Sequence, residues 1–123
     1  MWIFTSTGFV SAVRKTDRPD VYTVRSRDRL SLEPLAKATG VEVITSPFGD
    51  YPYRVLVEPT LFIEWLADQA SQIEYSNFKN QVAKTRGHEY THALHDVWSA
   101  MLKTEDKSRT AMKLEKGEPH GSI

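Results

Sequence analysis

An α+β fold follows from three features of the sequence. Runs rich in β-branched and aromatic residues occur at 2–15, 21–27, 41–45 and 53–57. Apolar residues recur at helical spacing in three segments, about 32–39, 60–74 and 87–103. The order is strand, strand, helix, strand, strand, helix, helix. It predicts a four-stranded, mainly antiparallel sheet made from two β-β-α units, with a third, C-terminal helix covering the face that the first two leave open. A chain of 123 residues holds material for one hydrophobic core. Residues 1–103 are therefore expected as a single domain. From Thr104 onward the chain is polar, with Gly117, Pro119 and Gly121, and reads as a flexible tail.

Each element has its own warrant. Asp17-Arg18-Pro19-Asp20 supplies turn chemistry between the first two strands, making them a hairpin. Ser31 is placed to cap a short helix, Pro34 falls in its first turn, and Gly40 can close it. Val41 to Thr45 is the third strand and Tyr53 to Val57 the fourth, joined by the turn-rich loop Ser46 to Pro52. Pro59-Thr60 opens the second helix, where Ile63, Leu66, Ala67, Ala70 and Ile73 form an expected core stripe. The third helix carries Tyr90, Leu94, Val97, Trp98 and Met101 as its expected stripe.

An internal similarity supports the two-unit reading. Displacing the chain by 31 residues pairs Tyr22 with Tyr53, Val24 with Val55, Leu30 with Leu61, Glu33 with Glu64, Leu35 with Leu66 and Ala36 with Ala67. Over residues 22–36, chance pairing at ordinary residue frequencies gives about one identity.

Composition excludes several classes of function. Sixteen basic residues balance sixteen acidic ones, so no global field draws the molecule to a polyanion or an anionic membrane. Cysteine is absent, which removes disulfides and thiolate metal sites and fits the cytoplasm. The apolar start Met1-Trp2-Ile3-Phe4 lacks a basic leader and is too short for a signal peptide, and no run reaches the ~18 apolar residues of a membrane span.

Four segments carry a resemblance. Met1-Trp2-Ile3-Phe4-Thr5 with Gly8-Phe9, then Asp50-Tyr51-Pro52-Tyr53-Arg54-Val55, then Tyr75-Ser76-Asn77-Phe78-Lys79, then His95-Asp96-Val97-Trp98-Ser99-Ala100-Met101 together resemble a family of small uncharacterised proteins of actinobacteria and their phages. The resemblance spans residues 1–103 and implies a cytosolic protein that a phage could encode. It implies no activity, cofactor or catalytic residue.

His88-Glu89-x-x-His92 matches the helical zinc-hydrolase motif, in which two imidazoles hold the metal and the glutamate activates its water. Three observations weigh against that reading. The helical spacing turns His88 and His92 away from the expected apolar stripe. The acids that could supply their third ligand, Glu105 and Asp106, lie at the helix end and are poorly placed. Arg86 puts a cation beside the would-be metal, and a body of residues 1–103 committed to the sheet leaves little material for a substrate cleft. No catalytic residue, metal or cofactor is therefore expected, with zinc at His88 and His92 and Glu89 as its base kept as the alternative.

Phosphate loops and nucleophile elbows are missing from the sequence. The expected function is a non-enzymatic binding module that acts through a protein partner or by self-association. Its surface is expected at Trp65, which lies off the second helix's stripe, and at the loop bearing Tyr75, Asn77, Phe78 and Lys79, since interface energy concentrates in aromatic and basic anchors. A third reading is nucleic-acid contact through Arg25 and Arg27, because residues 14–29 hold six basic side chains against three acidic ones. With Tyr22 the single aromatic residue among the basic ones, too few to stack successive bases, that hairpin reads first as a solvated surface.

Overall fold

The N-terminal run 2–15 does not stay in one strand. In the computed structural model, which describes residues 1–106, 112 and 114–115, it folds back at Ser6-Thr7 into β1 (Trp2–Thr5) and β2 (Gly8–Lys15). Hydroxyls make this turn: the Thr7 amide donates to Thr5 Oγ1 at 3.3 Å, and Thr5 Oγ1 lies 3.1 Å from Thr7 Oγ1. Side-chain oxygens that bond to nearby backbone stand in for the Asn-Gly pair usual in tight hairpins. The expected four strands thus become five.

The chain continues through β3 (Arg18–Ser26), α1 (Glu33–Thr39), β4 (Ile44–Thr45), β5 (Tyr53–Val57) and α2 (Pro59–Ser71). The turn before β3 falls at Thr16-Asp17, earlier than expected, so Pro19 lies within the strand. The sheet order is β1-β2-β3-β5-β4 and every neighbouring pair is antiparallel. The expected third strand shrinks to Ile44–Thr45; Val41 and Val43 pack against the core without joining the ladder.

One face of the sheet carries Val10, Val24, Val55 and Val57, which meet Leu32, Leu35 and Ala36 beside α1 and Phe62 and Trp65 of α2 in a single core. Both helices therefore lie on this face, as the α+β reading requires. Ser31 does not cap α1. Its hydroxyl accepts from the Phe9 amide at 3.2 Å, tying the helix approach to β2, while Asp28 accepts from the Ser31 amide at 2.8 Å. Gly40 closes α1 in the left-handed conformation, at φ 72°. Val24 and Val55, equated by the internal similarity, are direct cross-strand partners.

The stripe expected on α2 is displaced. Phe62 and Trp65 are buried and Leu66 half-buried, whereas Ile63 is 58% and Ile73 59% exposed. Two apolar stripes about 100° apart compete for the core on this helix, and the aromatic one buries the greater area.

Contacts divide the chain into two units, Met1–Glu74 and Tyr75–Ile123. In the second unit, residues 78–86 form a helix absent from the sequence reading, α3 (Phe78–Arg86), so the helices number four among the described residues. Asn77 caps it, its side chain accepting from the Asn80 amide at 3.0 Å. Gly87, at φ 88°, then serves as C-cap of α3 and N-cap of α4 (His88–Met101), a backbone setting open to glycine at little cost.

A 3-10 turn over Leu102–Thr104 follows α4. Val82 of α3 and Thr91 and Leu94 of α4 are buried. The expected α4 stripe is corrected accordingly: Val97 and Met101 are exposed, Tyr90 and Trp98 half-buried, and Thr91 takes the central place. Its hydroxyl can be buried because it donates to the His88 carbonyl. Of the expected tail, residues 107–111, 113 and 116–123 lie outside the described residues.

Candidate anion site at an arginine cluster

β3 is the central strand, and alternation sends Val24 into the helix-covered core and Arg25 to the other face. Across the ladder, Arg25 is the direct partner of Arg54 on β5. Like charges placed opposite each other on a sheet are unfavourable. On its other side Arg25 faces Ser11, which is small enough to let the guanidinium lie over it, and Arg25 Nη2 donates to Ser11 Oγ at 2.8 Å.

The loop between β4 and β5 brings a third element. Tyr51 is 7% exposed, and its ring centre lies 4.6 Å from the Cζ of Arg25 and 4.6 Å from that of Arg27. The loop backbone is held as well. Arg27 Nη1 donates to the Asp50 carbonyl, and Arg54 Nη2 donates to the Tyr51 carbonyl at 3.4 Å.

Three guanidiniums thus converge on one loop. The Nε atoms of Arg25 and Arg54 are buried and make no hydrogen bond. An ion pair of Arg29 with Glu33, at 3.7 Å, lies outside this cluster. The Tyr51 ring face offsets part of the repulsion, by about 0.5–2 kcal/mol per cation, but it cannot neutralise the charge. What completes such a cluster is an anion whose oxygens match the planar fork of the guanidinium, a phosphate or a carboxylate.

Arg25 and Arg27, named from the sequence, are both in this site. Arg54 and Tyr51 were missed as site residues; the hairpin's own aromatic residue, Tyr22, lies against Arg14 at 5.2 Å, and Tyr51 supplies the ring beside Arg25 and Arg27. No local pattern marks Arg54 or Tyr51. Their placement depends on the pairing of β3 with β5.

The partner surface expected at Trp65 is corrected. Trp65 is 5% exposed and packs in the core against Phe62, ring centres 5.8 Å apart and planes tilted by 39°, so it offers no anchor to a partner. Tyr75, Asn77, Phe78 and Lys79 do not form a free loop either. Asn77 is the cap of α3, Phe78 and Lys79 are its first residues, and the rings of Tyr75 and Phe78 lie 6.0 Å apart. All four are half-buried.

His88, Glu89 and His92 lie exposed in the first turns of α4. Among the described residues no three His, Asp or Glu side chains come together as a ligand set. Purified protein is expected to carry no stoichiometric zinc, which elemental analysis measures directly. One zinc per chain, lost together with a hydrolytic activity in His92→Ala, would assign the motif instead.

No helix among the described residues is long and apolar enough to cross a membrane. Comparison of the chain with protein families, with curated proteins and with solved structures finds no match.

Proposed function

We propose that this chain is a non-enzymatic binding module whose site is the Arg25, Arg27 and Arg54 cluster around Tyr51, and whose ligand carries closely spaced anionic groups. One observation carries the reading: among the described residues, a cross-strand arginine pair on the central strands has no carboxylate partner. An unpaired like-charge contact is a standing cost to the fold, and a bound anion removes it. Ligand binding should therefore raise the melting temperature as well as occupy the site.

Inorganic polyphosphate is the direct probe. Binding is expected at about 50 mM salt and should weaken steeply towards about 200 mM, the signature of counterion release. Arg25→Gln combined with Arg54→Gln keeps a shorter polar side chain at each position and removes both charges, and should weaken binding at least tenfold. A wild-type protein that ignores polyphosphate, or a double variant that binds it equally well, would remove the site.

Self-association is the second reading, favoured by the apolar residues that α2 leaves exposed. Ile63, Ala67 and Ala70 recur at helical spacing outside the core, with Ile73 just beyond the helix end. Sedimentation should then show a dimer that Ile63→Lys converts to monomer. A monomeric wild type at high concentration would end this reading.

A further inference from the structure

Resting on the arginine site just described, we infer that its ligand is a single-stranded nucleic acid, with phosphates at the arginines and a base stacked on Trp2. The inference comes from sheet register. Trp2 pairs with Ser11, Ser11 with Arg25, Arg25 with Arg54, and Arg54 with Ile44. These five residues form one row across all five strands, on the face opposite the helix-covered core. Strands lie about 4.8 Å apart, so the Trp2 and Arg25 positions are separated by roughly 10 Å along the row.

The row combines an indole at one edge with two guanidiniums nearer the other. Trp2 is 71% exposed, although its edge is braced by Phe9, 6.0 Å away in a T-shaped contact, and Phe9 by Phe4 at 4.8 Å. A large aromatic side chain fixed in orientation yet open to solvent is what a base needs as a platform. Phe48, 80% exposed, stands in the same loop as Tyr51 and offers a second ring.

Stacking platforms beside cationic side chains on a sheet face suit unpaired bases, because a duplex keeps its base faces covered. An acidic peptide would satisfy the arginines and make no comparable use of exposed rings. Asp50, whose backbone carbonyl accepts from Arg27, is exposed and adds an acidic residue to the same loop. It opposes an anion there, so affinity should depend strongly on salt.

Binding of a fluorescent deoxythymidine oligomer, measured by anisotropy and by tryptophan quenching, tests this. Wild type should bind the oligomer, and Trp2→Ala should bind it roughly tenfold more weakly, the usual loss for one stacked base. The same variant should bind polyphosphate as wild type does. In a Trp98→Phe background the quenching should vanish in Trp2→Ala, since Trp65 is buried and Trp98 is half-buried. Equal oligomer affinity in wild type and Trp2→Ala, or tighter binding of a duplex of the same length, overturns the inference and leaves the anion site standing. Failure of the wild type to bind either oligomer or polyphosphate overturns both. Should Trp2→Ala unfold, Trp2→Phe serves in its place, and a retained quenching signal there would count against the stack.

Discussion

Trp65→Ala is expected to destabilise the protein by about 3–5 kcal/mol, the range for deleting a large buried aromatic. Trp65 sits in the core with Phe62, whose ring in turn meets Tyr22 of β3 edge-on at 5.6 Å. Removing the indole therefore opens space beneath α2 and loosens the ring stack that seats this helix on the central strand. The indole Nε1 is buried without a hydrogen-bond partner, which gives back part of the gain from burying the ring. Trp65→Phe should recover part of the loss. Ile63→Ala, one step round the same helix and largely exposed, should stay within about 0.5 kcal/mol of wild type. Chemical denaturation of the three variants decides which apolar stripe of α2 is the inner one. A Trp65→Ala protein as stable as wild type, with Ile63→Ala badly destabilised, would reverse the assignment.

Tyr51→Ala should have the second large effect, and on two observables together. Its buried ring lies against both Arg25 and Arg27, so truncation removes packing and two cation–π contacts, costing about 3 kcal/mol in all. No formal charge changes, yet polyphosphate affinity should fall, because the guanidiniums lose the surface that holds them in place. Phe48→Ala in the same loop leaves an exposed position and should alter stability by less than about 0.5 kcal/mol. If Tyr51→Ala melts like wild type and binds polyphosphate as tightly, the ring does not organise the arginines, and the account of the site fails at its centre.

The strand runs around Val24 and Val55, the short helix closed by Gly40 and the existence of α2 and α4 were legible in the sequence, because each rests on local chemistry. The Ser6-Thr7 turn was not, since its two central residues are hydroxyl residues and its glycine, Gly8 at φ 147°, comes one place later, as the first residue of β2. α3 was hidden because Val82 is its one fully buried residue, which leaves no stripe to detect; the Asn77 cap and Gly87 were its only local marks. The inner faces of α2 and α4 were misplaced because both helices carry more apolar positions than they bury. Half of the candidate site was visible, as the basic residues Arg25 and Arg27. Arg54 and Tyr51 were invisible as partners, because their approach depends on a ladder between strands separated by α1 and β4.

The β3–β5 ladder is centred on Val24 and Val55, and a half-turn about that pair exchanges the two strands. Arg25 and Arg54 stand one step to one side of this centre, and Thr23 and Leu56 one step to the other. The backbone beneath has no direction, but the side chains above it do. A charged end and an uncharged end on an otherwise reversible ladder give any elongated ligand one preferred orientation along the strands. Exchanging Leu56 for arginine would put one cation at the uncharged end, opposite Thr23, and so reduce that polarity, letting the same ligand lie the other way round more often.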